Sequence, residues 1–415
     1  MRTTTSGLNW AGTHTYTATA VERPASLDEV AEIVAGAERV RGLGTRHSFN
    51  DVADGPGVLL DLTQVPADIV VAEDGRTATL GAGTRYGAAA PDLDAAGVAL
   101  HNMGSLPHIS IAGATATGTH GSGTTLGSLA TAVAALEIVG ADGAPRIVRR
   151  GDPDFGGSVM HLGLLGVVTR VACDVQPSYQ MRQDTFGPIP WATFLGSVAE
   201  VFAAGYSVCA FTRWDGAVSE VLVKSRIDTL SADGDVPEEL LGAPRLPPIA
   251  GDDRRTARDG TAGPWWDRLP HFTIDSVPSI GSEIQSEHFV PLSSAAAALD
   301  AVNALGDRIR PHLHVTELRT MAADDLWLSP SQGEDVLCIA FTWRQHVDEV
   351  AALLPSVEAA LAPFGGRPHW GKMSSLDADA IEDLFPRLPE FRALVARVDP
   401  SRRFASAFGE RVLRV

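Results

Sequence analysis

In the first half of the chain, some segments have apolar residues at helical spacing, and others have the short apolar runs of β-strands. Ser26 and Glu29 have the spacing of a capping box, and apolar residues recur behind them at helical spacing, which predicts a helix over 27–37. A second helix is predicted over 86–96, ending at Gly97. Strand-like runs predict β-strands at 39–44, 58–62, 77–82, 133–139, 147–148 and 167–175.

The second half has a more regular order of elements. Strands are predicted at 283–290, 313–320, 336–343 and 367–370, and helices at 293–305 and 347–361. This β-α-β-β-α-β order is the ferredoxin-like plan, an antiparallel sheet with its helices on one face. The other face is then free to cover a ligand. The character of the sequence changes near 176, where we expect a domain boundary.

The stretch 231–263 has no apolar periodicity. It is rich in Gly, Pro, Asp and Arg. Segments of this length and composition inside a folded protein are typical of functional loops. We expect a long surface excursion or a lid.

Length and charge narrow the possible classes of function. The 415 residues allow two to three domains, and 45 % hydrophobic residues indicate a folded chain. The net charge of −18 would repel a nucleic-acid backbone. No apolar run reaches the ~18 residues of a membrane span, and the N-terminus lacks a signal-type core. We therefore expect a cytoplasmic protein without nucleic-acid or membrane partners. A monomer is the expected oligomeric state, although these features do not determine it.

Small residues dominate one segment of the first half. Between 112 and 128, every residue except His120 and Leu126 is Gly, Ala, Ser or Thr. Such a segment lets the backbone approach a ligand and leaves N–H groups for anions. A flexible linker is the alternative, but predicted strands flank the segment. Because no amphipathic helix follows Gly42 and Gly44, the Rossmann pattern is not met.

Alternation along the predicted strands brings charged groups together. Glu317 and Arg319 are two residues apart on one strand, so both point to one face. Together they can bind a hydroxyl group from its donor and its acceptor side. Gln285 and Thr342 can reach the same space from neighbouring strands. An ion pair without a ligand explains Glu317 and Arg319 equally well.

Two other kinds of chemistry are less well supported. His312 and His314 would share a strand face, but no third metal ligand is evident, so no metal site is predicted. A hydrolytic triad lacks the Gly-x-Ser-x-Gly turn between a strand and a helix.

Several motifs resemble those of the vanillyl-alcohol-oxidase-type FAD flavoproteins, in the same order and context. The four that carry the resemblance are Arg41-Gly42-Leu43-Gly44-Thr45-Arg46-His47-Ser48, Leu80-Gly81-Ala82-Gly83, the segment 102–113 and Ala116-Thr117-Gly118-Thr119-His120-Gly121-Ser122-Gly123. Three more narrow it to the alditol oxidase and xylitol oxidase branch, with the aldonolactone oxidases as near relatives: Glu317-Leu318-Arg319-Thr320, Phe341-Thr342-Trp343 and His369-Trp370-Gly371-Lys372. The resemblance covers nearly the whole chain.

The resemblance implies an α+β fold with a two-subdomain FAD-binding domain and a substrate domain that caps the flavin. We place the FAD domain at 1–176 with a C-terminal return at 385–415, and the ferredoxin-like substrate domain at 177–384. His47 would carry FAD covalently through the 8α-methyl group. One departure is Arg46, where many members have glycine. The residues implied to contact FAD are Arg41, Gly42, Leu43, Gly44, Thr45, Arg46, His47, Ser48, Ser105, Ser110, Gly113, Thr117, Gly118, Thr119, His120, Val168 and His369.

The implied activity is oxidation of the terminal primary alcohol of an alditol to an aldehyde, with dioxygen reduced to hydrogen peroxide. Arg319 and Lys372 would stabilise developing negative charge, and Glu317 would hold hydroxyl groups or take a proton. The residues implied to meet the substrate are Ser105, Gln285, Glu317, Arg319, Thr342 and Lys372. An aldonolactone oxidase or dehydrogenase is the closest alternative, and a flavin-free sugar-binding protein is an alternative of another class.

Overall fold

The computed structural model describes residues 7–230, 236–248, 253–276 and 282–415. The strands up to residue 177 are β1 (Ala20–Glu22), β2 (Val40–Leu43), β3 (Val58–Asp61), β4 (Val70–Val71), β5 (Thr77–Gly81), β6 (Val98–Ala99), β7 (Val133–Val139), β8 (Pro145–Arg149), β9 (Val167–Asp174) and β10 (Gln176–Pro177). The helices in this part are α1 (Leu27–Gly36), α2 (Tyr86–Ala95), α3 (Ile111–Ala116) and α4 (Phe155–Val159).

The strands that follow are β11 (Gln180–Phe186), β12 (Ile189–Pro190), β13 (Ser207–Thr212), β14 (Ala217–Arg226), β15 (Glu239–Leu240), β16 (Ala243–Pro244), β17 (Gly263–Pro264), β18 (Glu283–Pro291), β19 (Leu313–Met321), β20 (Val336–Arg344) and β21 (Arg367–Pro368). The helices are α5 (Trp191–Gly196), α6 (Val198–Phe202), α7 (Ala295–Asn303), α8 (Gly306–Ile309), α9 (Val347–Leu361), α10 (Ala378–Leu384) and α11 (Leu388–Val398). No helix in these described ranges is long and apolar enough to cross a membrane.

Two sheets in the first part carry the loops of the site. β1, β3 and β2 form a parallel sheet, and β4, β5, β9, β7 and β8 form an antiparallel one. The predicted N-terminal cap of α1 is confirmed, because the Glu29 N–H donates to Ser26 Oγ at 3.2 Å. The Glu29 carboxylate reaches back to the N–H of Ala25, at 2.8 Å, one residue before the position that a capping box uses. The second predicted helix is confirmed as α2, followed by Gly97 at a φ of +80°.

The ferredoxin-like plan is confirmed in the second part. β19, β20, β18 and β21 lie side by side in that order, all antiparallel, as the β-α-β-β-α-β connection requires. The last strand is shorter than predicted and ends at Pro368. β13, β14, β11 and β17 extend the same sheet to nine strands with β12. The sheet of the predicted substrate domain is therefore about twice as wide as the sequence pattern indicated.

Side chains alternate between the two faces of this sheet. On β20, Ile339, Phe341 and Trp343 pack in one apolar core with the inner faces of α5, α6, α7 and α9. The intervening Ala340 and Thr342 line a cavity on the opposite face. The helices thus cover one face, as predicted, and the other face bounds the cavity.

Part of the predicted excursion closes one side of this cavity. Residues 231–235 and 249–252 lie outside the described ranges, whereas the segment 253–276 is described. Thr256 Oγ1 accepts from Gln183 Nε2 at 2.8 Å and its N–H donates to the carbonyl of His271. The His271 N–H in turn donates to the carbonyl of Ser105 at 3.0 Å. The 253–276 segment is thereby hydrogen-bonded both to the nine-stranded sheet and to the first part of the chain.

The C-terminal residues pack against the beginning of the chain. The Val40 N–H donates to the carbonyl of Arg403, and the Arg403 guanidinium donates to carbonyls at the end of α1. Arg41 Nη1 donates to the carbonyl of Phe404 at 2.6 Å. These contacts have the arrangement expected for a C-terminal return, and the domain boundaries at 176 and 385 stay predictions.

Candidate active site

One cavity of about 580 Å³ lies between the loop after β2 and the helix-free face of the nine-stranded sheet. Of the residues predicted from the sequence, those that line it are Arg41, Gly42, Leu43, Gly44, Thr45, Arg46, His47, Ser48, Ser105, Ser110, Gly113, Thr117, Thr119, His120, Val168, Gln285, Glu317, Arg319, Thr342, His369 and Lys372. Gly118 does not line it; at a φ of +72° it packs against Met160 instead. Segments that are far apart in sequence therefore meet at one cavity.

His47 is held with one ring nitrogen free. Its Nδ1 lies 3.0 Å from Thr45 Oγ1, and Trp10 stacks on the ring with centroids 5.4 Å apart. Its Nε2 is buried and has no hydrogen-bond partner among the described residues. Burial, with help from the charge of Lys372, lowers the pKa of His47 to about 4. The imidazole is thus neutral at pH 7, and its Nε2 is available to bind another group.

The backbone around His47 forms a cradle that side chains would fill. A Cβ on Gly44 would lie 2.8 Å from Ser110 Oγ, and one on Gly113 would lie 2.9 Å from the same atom. The backbone N–H groups of Thr45 and Ser48 have no partner in the part of the chain that the structure describes. Free N–H groups beside close-packed glycines suit the phosphates of a dinucleotide. The chemistry of this cradle fits the pyrophosphate of FAD.

The two arginines of this loop have different surroundings. The buried guanidinium of Arg41 donates to the carbonyls of Val52 and Leu162 at 2.7 Å each, so its side chain holds the loop. Arg46 adopts the left-handed backbone, with φ at +62°, and its guanidinium lies 5.1 Å from the ring centroid of Tyr16. Arg46 therefore holds a backbone conformation that is more common for glycine.

Opposite this loop, Glu317 and Arg319 share one face of β19, as predicted. Arg319 Nη2 donates to Glu287 Oε1 at 2.8 Å, and its Nε lies 3.7 Å from Glu317 Oε1. Burial acts to lower the pKa of Arg319, but Glu317 and Glu287 raise it above its usual value. The guanidinium is thus fixed in its charged form between two carboxylates.

Glu287 is a residue of this site that the sequence reasoning missed. It lies on β18 two residues beyond Gln285, on the same face of the sheet. Its Oε1 lies 2.8 Å from His120 Nε2, and the other ring nitrogen of His120 lies 2.8 Å from the carbonyl of Gly121. Although burial opposes it, Arg319 and His120 hold the pKa of Glu287 well below its usual range. This carboxylate joins the small-residue segment to the sheet.

A second missed residue, His271, comes from the 253–276 segment. Its Nε2 lies 2.8 Å from Glu317 Oε1, and its buried Nδ1 has no hydrogen-bond partner among the described residues. Burial and the charge of Lys224 lower the pKa of His271 to about 3. Burial raises the pKa of Glu317, but Arg319 and His271 outweigh it and bring that pKa below its usual range. The neutral imidazole therefore donates from Nε2 to the carboxylate of Glu317, which stays ionised.

The remaining predicted substrate residues surround the same space. Lys372 Nζ donates to Gln285 Oε1 and lies 4.8 Å from the ring centroid of Phe49. Burial lowers the pKa of this lysine. Thr342 and Ser105 line the cavity beside it. Lys372 is one of only two lysines in a chain with 33 basic residues, and the other, Lys224, is buried and donates to the carbonyl of Leu269.

The histidines considered as metal ligands lie elsewhere. His312 precedes β19 and contacts His346 at the surface, with 3.0 Å between their Nδ1 atoms, so it does not share a strand face with His314. Two clusters in the described ranges bring three ligand atoms within 4.8 Å: His120, Glu287 and Cys338, and Cys209, His271 and Glu317. Each cluster's carboxylate already lies against the Arg319 guanidinium, which would repel a cation. The absence of a metal stays a prediction.

The chain is similar to known oxidoreductases over nearly its whole length. Residues 18–148 match the FAD binding domain family, and residues 280–412 match the D-arabinono-1,4-lactone oxidase family. The chain is 43 % identical to the alditol oxidase of a Streptomyces species over 406 residues, which cover 96 % of this chain and 97 % of that one. It is 28 % identical to the L-gulono-1,4-lactone dehydrogenase of Mycobacterium tuberculosis over 433 residues, 98 % of each chain.

Solved structures show the same fold. The cholesterol oxidase from B. sterolicum superposes with a TM-score of 0.81 over 99 % of this chain and 97 % of that one, at 16 % identity. Together with the FAD-type cradle and the 43 % identity over almost the full length, this fold settles the family. The chain belongs to the vanillyl-alcohol-oxidase-type family of FAD flavoproteins, on the branch of the alditol oxidases, and is an FAD-dependent oxidoreductase.

Proposed function

We propose that the protein is an alditol oxidase, which converts the terminal primary alcohol of a polyol such as xylitol or sorbitol to the aldehyde while dioxygen is reduced to hydrogen peroxide. The observation that carries the proposal is the polar wall opposite His47, where Glu317, Arg319 and Lys372 line one cavity. A carboxylate that accepts and two cations that donate provide partners for successive hydroxyl groups. The Streptomyces relative is named alditol oxidase, which supports the same substrate class.

FAD is the cofactor that this cradle fits, and when bound it supplies the acceptor for a hydride and passes electrons to dioxygen. His47, whose buried Nε2 lacks a hydrogen bond, is the proposed point of covalent attachment. Its lowered pKa keeps the lone pair available at neutral pH. The proposed contacts around the rest of the cofactor are Arg41–Ser48, Ser105, Ser110, Gly113, Thr117, Thr119, His120, Val168 and His369; Gly118 would shape the turn between them.

The charged side chains have separate parts in the proposed reaction. Arg319 and Lys372 stabilise negative charge that develops on the substrate oxygen, since fixed positive charge in a closed site favours that transition state. Glu317, whose pKa lies below its usual range, stays a carboxylate and is a weak base. We therefore assign it to holding and orienting hydroxyl groups. Thr342, Gln285 and Ser105 add hydrogen bonds along the polyol.

An aldonolactone oxidase or dehydrogenase is the second candidate. The match of residues 280–412 to the D-arabinono-1,4-lactone oxidase family favours it. Steady-state turnover of xylitol and sorbitol, compared with gulono- and galactono-1,4-lactone on the same preparation, separates the two. A kcat/KM that is higher for the lactones would overturn the alditol assignment.

The role of Lys372 has its own test. Lys372→Met removes the charge and keeps most of the volume, so kcat on the best polyol should fall by about 10²–10³-fold, as for other losses of transition-state charge stabilisation. Arg308→Met, which removes an exposed cation on the helix-covered side, is the control. Unchanged turnover in the Lys372 variant would refute the charge-stabilising role.

Covalent attachment is tested by acid precipitation of the purified yellow protein. Colour that stays with the wild-type pellet and moves to the supernatant in His47→Ala supports the His47 link. Colour released from the wild-type protein would leave a flavoenzyme with dissociable FAD. Protein that remains colourless after incubation with FAD would support the flavin-free alternative.

A further inference from the structure

The cavity continues beyond the proposed substrate residues along one row of the nine-stranded sheet. Across neighbouring strands, Glu287 pairs with Ala340, Ala340 with Glu317, Glu317 with Phe211, and Phe211 with Glu220. All five line the cavity. Because adjacent strands are about 4.8 Å apart, the cavity extends about 10 Å past Glu317, over the ring of Phe211, to the position of Glu220.

The far end of this row is lined by arginines. Arg258, from the 253–276 segment, has a side chain that is 13 % exposed, and its buried Nε has no hydrogen-bond partner among the described residues. The carboxylate that it meets is that of Glu220, at 4.0 Å. Arg213, in the turn between β13 and β14, also lines the cavity, and its side chain has no ion pair or hydrogen bond within the described ranges. Arg255, close in sequence to Arg258, lines the cavity too.

Within the described residues, Arg258 is a largely buried cation whose nearest carboxylate, Glu220, lies 4.0 Å away. Burial and the charge of Arg255 lower the pKa of Arg258, and the carboxylate of Glu220 acts in the opposite direction. The deeper cation Arg319 already has Glu287 and Glu317 as partners. Among the described residues that line this end of the cavity, Glu220 is the carboxylate beside Arg258, and Arg213 lies in the adjoining turn. A buried cation without a close partner is costly, and an anionic ligand removes that cost.

We propose that Arg258 and Arg213 form a subsite for a terminal oxyanion, a phosphate monoester or a carboxylate, and that the preferred substrates are polyols carrying such a group at the end away from the reacting alcohol. The distance from Glu317 to Glu220 suits an extended six-carbon polyol whose far end reaches the arginines. Guanidinium groups bind both oxyanions through paired N–H donors. This inference rests on the proposed polyol oxidation and specifies its substrate class.

The test compares three substrates of equal chain length on the FAD-loaded enzyme: sorbitol, sorbitol 6-phosphate and gluconate. At low ionic strength, kcat/KM for at least one anionic substrate should exceed that for sorbitol by about tenfold, and the advantage should shrink as salt is added. A preference for the phosphate alone identifies a phosphate subsite, and a preference for gluconate alone identifies a carboxylate subsite. An anionic-to-neutral ratio of one or less, at all salt concentrations, overturns the proposal.

Substitutions of the arginines test whether they cause the preference for anionic substrates. Arg258→Gln should lower the anionic-to-neutral ratio by about tenfold and Arg213→Gln by a smaller factor, because Arg213 is exposed. Arg258→Lys keeps the charge and should retain part of the ratio. Arg308→Gln, which removes an exposed arginine on the other side of the sheet, is the matched control and should leave the ratio unchanged.

The same experiments can refute the anion subsite without refuting the proposed alditol oxidation. Oxidation of sorbitol without any anion preference, or a preference that survives both Arg258→Gln and Arg213→Gln, overturns the subsite and leaves the alditol oxidase standing. Loss of activity on all three substrates in a flavin-containing preparation overturns the proposed function itself. Inorganic phosphate gives an independent reading, since it should inhibit sorbitol oxidation competitively, with a Ki that rises in Arg258→Gln.

Discussion

At the scale of single residues, Arg46 shows how a large side chain can occupy a left-handed backbone position. Its φ of +62° lies in the left-handed region, which costs an L-residue roughly 1–2 kcal/mol. Its guanidinium gains a contact with the ring of Tyr16, at 5.1 Å from the centroid. Such a cation–π contact is worth about 0.5–1 kcal/mol at exposed sites. The side chain thus offsets part of the cost of its own backbone.

Two substitutions separate these contributions. Arg46→Ala and Arg46→Gly both remove the cation–π contact, but only glycine relieves the left-handed backbone, so Arg46→Gly should be the more stable by about 1 kcal/mol. Urea unfolding of the two variants at equal flavin content measures the difference. Equal midpoints would show that the backbone at 46 is not strained.

His271 should set the acid limit of activity through Glu317. The pKa of Glu317 is depressed, so the carboxylate stays ionised as the pH falls below its usual range, and polyol binding should persist there. His271→Phe removes one of the groups that lower this pKa and leaves the burial that raises it. The acid limb of the kcat/KM profile should then move to higher pH.

The matched control for this profile is His312→Phe, at a surface histidine that lies outside the cavity. Its acid limb should coincide with that of the wild-type enzyme. If kcat/KM of His271→Phe is lower at every pH but its acid limb stays at the wild-type pH, His271 packs against Glu317 without changing the pKa of that carboxylate.

The sequence predicted some of these residues and not others, for physical reasons. Glu317 and Arg319 were found because strand alternation is local and their spacing is two. The same rule applied to Gln285 would have reached Glu287, which is two residues further along β18. His271 carries no such signal, because its place beside Glu317 depends on hydrogen bonds between the 253–276 segment, Ser105 and Gln183. Contacts between distant segments leave no periodicity in the sequence.

At the scale of elements, the ferredoxin-like unit was predictable because each of its helices and strands has its own apolar repeat. The extension of its sheet by β13, β14 and β11 was not, since strand pairing between segments more than a hundred residues apart is a tertiary property. This extension adds Phe211 and Glu220 to the row that contains Glu317. The wider sheet lengthens the cavity wall.

The buried charges on β18 and β19 should stabilise the junction between the sheet and the small-residue segment. Glu287→Gln leaves Arg319 and His120 facing a neutral amide, and loss of one partner of a buried ionic network costs about 3–5 kcal/mol. The unfolding free energy should fall by that amount. Glu349→Gln, at an exposed position on α9, should change it by less than about 0.5 kcal/mol. Similar losses in both variants would contradict a stabilising network.

At the scale of the whole molecule, several buried histidines make stability depend on pH. Burial lowers the pKa of His47 to about 4 and those of His161, His271 and His369 to about 3. Below pH 6.5 the unfolded chain binds protons at these positions and the folded protein does not. Protonation therefore favours unfolding, and stability falls as the pH decreases from 6.5. The lowered pKa of Glu287 adds a loss of the same sign only below its usual range, near pH 4.5.

His161 provides a direct measure of this effect. Its Nδ1 accepts from the Gly163 N–H at 3.0 Å, and the amide oxygen of asparagine can accept in its place. Each such histidine contributes up to about 1.4 kcal/mol per pH unit below its unfolded pKa. His161→Asn should therefore flatten the fall of the unfolding free energy between pH 6 and 5 by about 1 kcal/mol. If urea midpoints at equal flavin content give the same slope for His161→Asn as for the wild-type protein, His161 is already protonated in the folded state, and the acid sensitivity of the molecule has another origin.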